Sequence, residues 1–511
     1  MNPRSRLTLA AVTLLLLGVT SACTEKPPVG RDTPIRIAVP VIPPAIGNPY
    51  QGITIPSTLA LQAVFDTVTS VDGRGQVVPA LALSWEQETP TEWLFRLRPG
   101  VRFSNGEPFT AEALVESARH MATLRGRGET IGSTLAQIES VEQVDALTAR
   151  IRLSEPDPLL PLHASIWRIP APAHWRTLKL PAGARNALGS GPFVLAGREE
   201  GRLVLDANPQ AWRSPAAARL ELLMIPDATA RVQAFLSGAV DMAMVVSPDT
   251  TAAVARAGGR VVARLTPQVD LLAFRTERRA ATPLKDPRVR RAMTLAVDRA
   301  LLTRYVLGGA TGPASQLSFP GAFGYDPALA PLPHDPAAAR RLMAEAGYPE
   351  GFALTMMVTT GEVVGDTLYY QQIASDLKKI GIDVEIRGRP PARQMQDIFS
   401  GKLDVDLFSW NTRGTDPLND YRHRSCLKSS PSRQPFHCDP VLTRQLHAAM
   451  VESDLERRQA LYAAIARYER DHPPGLMLWQ RPDFDVVAAN LDGYAPVQDM
   501  LHLERLARRL P

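Results

Sequence analysis

The side chains that could do chemistry are few, and most have a plainer explanation. His423, Cys426, His437 and Cys438 lie close together in sequence and could ligate a soft metal or pair as a disulfide. The Cys-x11-Cys spacing is not that of a zinc motif. Asp404 and Asp406 stand two apart, which on a strand puts both carboxylates on one face. A general acid/base pair needs such an arrangement, but two solvated edge residues satisfy it as well. Ser190 sits between Gly189 and Gly191 without the Gly-x-Ser-x-Gly spacing of a nucleophile elbow. Gly189-Ser190-Gly191-Pro192 reads instead as a tight turn before a strand at Phe193-Val194-Leu195. There is no His-Glu-x-x-His and no Gly-rich phosphate loop ending in Lys-Ser/Thr, and the 9 histidines are scattered. We expect no catalytic residue, no metal ligand set and no cofactor, which leaves recognition as the chemistry of the chain.

Composition narrows the partners. The 57 basic and 52 acidic residues interleave to a net charge of +5, with no dense Lys/Arg block, so no nucleic-acid partner is expected. The 45 prolines are spread along the chain, which favours many ordered turns over a disordered tail. At 511 residues, two or three domains are expected. Collagen, coiled coil, polytopic membrane protein and disulfide-dense mini-protein are excluded.

Arg4 and Arg6 precede an apolar run from Leu7 to Val19, followed by Thr20-Ser21-Ala22 and Cys23. A charged start, a short apolar stretch and a small-residue exit make a secretory signal peptide over 1–22. The run is shorter than the roughly 20 residues a bilayer span needs. Cys23 resembles the lipidated cysteine of a bacterial lipobox, with Thr20 where Leu is usual, which implies anchoring on the periplasmic or cell-surface side. Residues 23–33, with a proline pair and Gly30, then read as a tether. In that oxidising compartment Cys426 and Cys438 are favoured as a disulfide over a metal site, worth about 2–3 kcal/mol.

The elements that must position any site alternate in type. Strands are expected at Ile35 to Val41, Trp93 to Leu97, Ile382 to Ile386 and Leu403 to Leu407. Apolar residues at helical spacing run from Leu59 to Thr69, and Thr110 supplies a capping hydroxyl to a helix reaching about Met121. Asp286-Pro287 and Asp335-Pro336 each place a capping carboxylate before a proline at the first helical position. The second of these helices stops at Gly347, and another carrying Tyr369, Ile373, Leu377 and Ile380 on one face stops at Gly381. The class is α/β.

Several stretches resemble the family 5 extracellular solute-binding proteins of bacterial ABC importers, which serve oligopeptides, dipeptides and nickel. Pro79-Ala80-Leu81-Ala82 through Ser84-Trp85 resembles the family's opening signature. The run from Leu97-Arg98-Pro99-Gly100 to Phe109-Thr110-Ala111-Glu112 continues it and is the most specific match. Gly189 to Phe193, Ile225-Pro226-Asp227, Ser237 to Asp241, Asp286 to Arg290, Ala296 to Arg299, Ala346 to Pro349 and Ile380-Gly381-Ile382 follow in the family's order.

The resemblance implies a two-lobed periplasmic-binding-protein-like fold of the large three-subdomain form, with a hinge and an interlobe ligand cleft. Mapped onto this chain, lobe I is 34–57, 188–268 and 482–511, the inserted subdomain is 58–187, and lobe II is 269–481. The hinges would fall near Val269 and Arg481. It implies capture of a small solute by a monomer and delivery to an ABC permease in the inner membrane. Peptide-binding members carry an Asp three residues after a lobe II Trp to hold the peptide's amino terminus. Here Trp410 leads to Arg413, a guanidinium suited to a carboxylate or phosphate, and Asp416-Pro417 follows as in the family. Nickel-binding members share Phe103 to Phe109 and an end like Tyr494-Ala495-Pro496. They place an arginine facing a carboxylate-bearing chelate where Arg127 stands, although their following Trp is Thr130 here.

The implied ligand is thus a peptide or a carboxylate-bearing solute such as a metal chelate, contacted by Arg413, Trp410, Arg127, Asp416, Tyr50 and Arg168. Each has a plainer reading: core packing for Trp410 and Tyr50, a solvated loop for Arg413 and Arg127, a turn for Asp416, and cover of the inserted subdomain for Arg168. Two other classes stay open: a secreted cell-wall peptide hydrolase, if Ser190 meets a histidine in space, and a ligand-presenting chemoreception protein.

Overall fold

The computed structural model of the chain describes residues 33–43, 45–52, 58–178, 186–277, 282–360, 365–400, 403–412, 416, 426, 436–496 and 501–509. Among these residues the largest sheets have ten and four strands. The ten-stranded sheet runs in the order Ile382–Arg389, Phe352–Thr359, Leu407–Asn411, Gly259–Phe274, Gly475–Ala488, Met242–Ala243, Ile35–Val39, Arg219–Met224, Arg202–Ala207 and Phe193–Glu199.

Its two central strands are the longest, 16 residues for Gly259–Phe274 and 14 for Gly475–Ala488. They pair antiparallel, with register slips between Leu265 and Val269 and between Asp270 and Leu271. Pro267 and Pro482 lie at the first slip and have no N–H to give to the ladder. On one side of the slips Phe484, Val486 and Val487 pack with residues such as Ile35, Ile37, Ala38 and Met242. On the other side Leu272, Phe274, Leu476 and Trp479 pack with Val289, Met293, Tyr369 and Ile373. The same pair of strands therefore contributes to separate hydrophobic cores on either side of the slips.

The four-stranded antiparallel sheet orders Ala82–Thr89, Glu92–Leu97, Thr148–Leu153 and Ile138–Asp145. Alternation dictates its sidedness: Trp93, Phe95 and Leu97 are buried while Arg96 is exposed. Helix Ala111–Met121 contributes Leu114, Ala118 and Met121 to the same core, which also takes in Phe103, Phe109 and Trp167.

Local signals place most helix ends. Asp286 accepts from Arg288 N ahead of helix Pro287–Ala296, and Asp335 accepts from Ala338 N ahead of Pro336–Glu345. Gly347 and Gly381, with φ of 88° and 85°, follow the helices Pro336–Glu345 and Asp366–Lys378. Gly189 and Gly191 are set by close approach, since a Cβ at Gly189 would stand 2.0 Å from the Val64 carbonyl oxygen.

Four expectations change. Thr110 precedes its helix but its hydroxyl makes no capping hydrogen bond. The helix expected over Leu59 to Thr69 ends at Val64, and Thr69–Val71 is a strand. The strand expected at Leu403 to Leu407 begins only at Leu407 and runs to Asn411. Asp404 is exposed and Asp406 is buried, its carboxylate accepting from Thr355 N and Thr355 Oγ1 at 2.9 Å each. They are therefore neither a solvated pair nor a catalytic one.

Candidate functional site

Where strand Leu407–Asn411 pairs with the crossing strand, Asp270 lies opposite Asn411 and Leu271 opposite Trp410. A solvent-open cavity forms there, lined by Asp270, Thr359, Tyr370, Gln394, Ser409, Trp410, Asn411 and Arg481 together with apolar neighbours. Trp410 is half-buried, its ring edge-on to Phe408 at 6.0 Å and to Phe436 at 5.5 Å, so packing fixes its plane. Core lining and cavity lining are both true of it.

The polar wall is preorganised. Arg481 Nε and Nη2 reach Asp270 Oδ1 at 2.9 and 2.8 Å, a two-point ion pair largely withdrawn from solvent. Gln394 Nε2 donates to Ser409 O at 2.6 Å, and Ser409 Oγ accepts from Thr359 N at 2.9 Å. Thr412 N donates to Val269 O at 2.9 Å while its hydroxyl accepts from Val269 N at 3.0 Å, tying the strand end to the register slip. Burial pushes the Tyr370 phenol up to about 12, so it stays a neutral hydroxyl. An indole, amides, hydroxyls and a paired guanidinium can bind and orient a small polar solute, and no nucleophile with an adjacent base is among them.

The other residues singled out from the sequence fall elsewhere. Arg168 is buried and its guanidinium is taken up by the carbonyls of Pro49, Gln51 and Gly52 at 2.8, 3.0 and 2.8 Å. Tyr50 is fully buried, donates to Ser117 Oγ at 2.8 Å, stacks on His120 and meets Trp175 edge-on. Burial raises its phenol well above the usual range. Asp416 is buried and accepts from Tyr462 Oη at 2.7 Å, with His163 Nε2 at 3.2 Å. These three therefore face inward rather than toward the cavity. Arg127 is exposed on the short helix Leu124–Gly128 and donates to Ala122 O at 3.1 Å. Arg413 and Cys23 lie outside the described residues. Cys426 and Cys438 are joined as a disulfide with Cα atoms 4.4 Å apart. Ser190 Oγ donates to Asp66 Oδ2 at 2.9 Å, beside Trp212 and Arg213, so a structural knot accounts for it.

Sequence reasoning missed Asp270, Tyr370 and Gln394, and took Arg481 only as a hinge marker. The signal for Asp270 was a lone carboxylate in the apolar run Val269-Asp270-Leu271-Leu272-Ala273-Phe274. A charge there must be paired once the strand is buried.

Comparison with known proteins agrees with this architecture. The chain is 28% identical to a di/tripeptide-binding protein 2 of Pseudomonas aeruginosa (strain UCBPP-PA14), over 97% of each chain. It is 26% identical to the nickel-binding periplasmic protein of Escherichia coli (strain K12), over 90% of this chain and 92% of that one. The structure of NikA from Brucella suis in complex with Fe(III)-EDTA superposes with a TM-score of 0.79 at 25% identity, covering 93% of this chain and all of that one. DppA from Helicobacter pylori in complex with the peptide STSA superposes with a TM-score of 0.75 at 20% identity, covering 93% and 98%. Residues 76–428 match the family described as bacterial extracellular solute-binding proteins, family 5 Middle, and the chain belongs to that family.

Proposed function

We propose that this chain is the extracytoplasmic receptor of an ABC importer, and that it captures a short peptide or a small carboxylate-bearing solute, such as a metal chelate, for its membrane permease. The observation that carries this is the cavity at the crossing strands, where Trp410 offers a stacking face beside the Asp270–Arg481 pair. Family membership supports a binding rather than a catalytic role, and the di/tripeptide- and nickel-binding relatives support the range of ligand. The lobes are 34–57, 188–268 and 482–511 for the first, with 58–187 inserted, and 269–481 for the second. The cores shared by the two long strands support that division, and the register slips near Val269 and Arg481 are its natural hinge. Trp410 stacks on the ligand and Arg413 receives its carboxylate. Cys23 is the lipid anchor once 1–22 are removed; incorporation of labelled palmitate, lost in Cys23→Ser, tests it.

A thermal-shift panel of di- to pentapeptides, glutathione, and nickel with and without free histidine tests the function. A ligand at about 100 times its Kd adds roughly 2.7 kcal/mol to the bound fold. Carboxylate-rich chelates or peptides should raise the melting temperature, and Trp410→Ala should weaken that binding about tenfold or more. If plain peptides alone shift the melt, the role given to Arg413 falls. If nothing shifts it, the solute-capture reading falls.

A further inference from the structure

Away from the cavity, one buried ionic chain passes between separately cored parts of the molecule. His163 ends the short helix Leu160–His163, beside the core of the four-stranded sheet. Its Nδ1 lies 2.7 Å from Asp157 Oδ2 and its Nε2 lies 3.2 Å from Asp416 Oδ2. Both ring nitrogens face a carboxylate oxygen, and only the imidazolium can donate from both. Asp157 belongs to the same part as His163 and is held by Gln137 Nε2 at 2.6 Å and Leu159 N at 2.9 Å. Asp416 belongs to the opposite part. It accepts from Tyr462 Oη at 2.7 Å and has Arg458 Nη2 3.9 Å away, both on helix Leu455–Asp471. Asp157, Asp416 and Arg458 are 6%, 2% and 4% exposed, so the charges meet with little water between them. The seam continues as apolar contact: Val71, Leu159 and Leu162 pack with Phe323, whose ring meets Tyr462 edge-on at 5.1 Å.

We propose that His163 is a closure residue, its imidazolium clasping Asp157 and Asp416 across the seam so that the closed form, and with it the bound solute, is held by a proton. The consequence for solute binding rests on the solute-capture reading above; the clasp does not. The groups facing His163 are Asp157 on its own side and Asp416, with Arg458 and Tyr462 behind it, on the other. Loss of the ring proton leaves two buried carboxylates facing a neutral imidazole across the seam.

Burial alone would favour the neutral ring, but Asp157 and then Asp416 override it and hold the imidazolium up to about pH 10. Asp416, despite its own burial, is held below the usual carboxylate range chiefly by His163. Opening the seam removes one of the two carboxylates, so the ring's pKa is lower in the open form. The clasp therefore contributes fully below that open-form value and is lost as pH rises through about 10. Between the two values the closing constant falls about tenfold per pH unit.

Small-angle scattering on the purified full chain, without added solute, from pH 7 to pH 10.5 decides it. The wild type should be compact at pH 7 and expand toward the alkaline end. Asp416→Asn keeps the His163–Asp157 pair and should be expanded at pH 7 with no pH response. His163→Gln should likewise lose the pH response, which keeps the test intact if the first variant folds poorly. Trialanine and nickel–histidine serve as binding probes, and whichever binds the wild type should bind Asp416→Asn about tenfold more weakly. A variant matching the wild type in size and pH response overturns the clasp. If neither probe binds the wild type while the scattering behaves as expected, the clasp stands and the solute reading is what failed.

Discussion

Arg168, beside the four-stranded sheet, and Arg481, on the crossing strand, are both guanidiniums withdrawn from water, and their partners differ in kind. Arg168 gives its N–H groups to three backbone carbonyls of Pro49, Gln51 and Gly52, with no carboxylate among those partners. Arg481 faces the Asp270 carboxylate at the wall of a solvent-open cavity. A guanidinium that donates to several backbone carbonyls fixes a chain path and is itself held in place by them. A guanidinium in a carboxylate pair holds a dipole at the cavity wall that a solute's own charges can engage. Arg231, Arg290 and Arg299 follow the first pattern: each donates to several backbone carbonyls. Burial and charge alone therefore do not mark a binding arginine; the partner does.

The largest effect that would break this contrast is at Arg168. Arg168→Met strands three carbonyls and should lower stability by about 4 kcal/mol in a denaturant titration, at ~1 kcal/mol or more per lost partner. Solute binding by the molecules that remain folded should be unchanged. A loss of affinity with normal stability would return Arg168 to the cleft.

At the cavity, Asp270→Asn or Arg481→Gln each breaks a buried ion pair and should destabilise by about 3 kcal/mol. The double variant should recover at least half of that, because it buries no lone charge. Affinity for whichever probe binds should fall in all three. A double variant as unstable as the sum of the singles would mean the pair is not coupled.

The smallest effect sharpens the structural side. Glu504 accepts from Arg213 Nη1 at 2.7 Å and lies 3.2 Å from His502 Nδ1. Burial opposes its charge, but His502 and Arg213 carry its pKa from 4.5 down to about 2. A depressed carboxylate contributes stability above its unfolded value and loses it as pH falls toward the folded one. Wild type should therefore exceed Glu504→Gln by on the order of 1–2 kcal/mol at pH 6, with the gap closing as pH drops from 4.5 to about 2. A gap that does not change with pH would assign the effect to packing instead.

How much was legible depends on how local each interaction is. The Asp-Pro caps and the stops at Gly347 and Gly381 could be read because a cap is settled within a few residues. The strand around Leu407 could not be placed, since apolar and polar residues alternate from Leu403 to Leu407 just as they do again from Phe408 to Asn411. The choice was made across the sheet, where Thr355 occupies the Asp406 carboxylate and Ser409 meets Thr359. Trp410 was found because a family pattern points to it. Asp270 and Gln394 were not, because no nearby residue tells a buried polar side chain who its partner will be.

The amino-acid order alone determined the alternation of strands and helices, the family and the absence of a recognisable catalytic motif. These depend on residue type and short spacing, which survive in one dimension. The tertiary structure decided which arginine carries structure and which meets the cavity, and that His163 lies between Asp157 and an aspartate 253 residues away. Those outcomes follow from burial, which exists only once distant segments pack and every charge taken from water must find its partner.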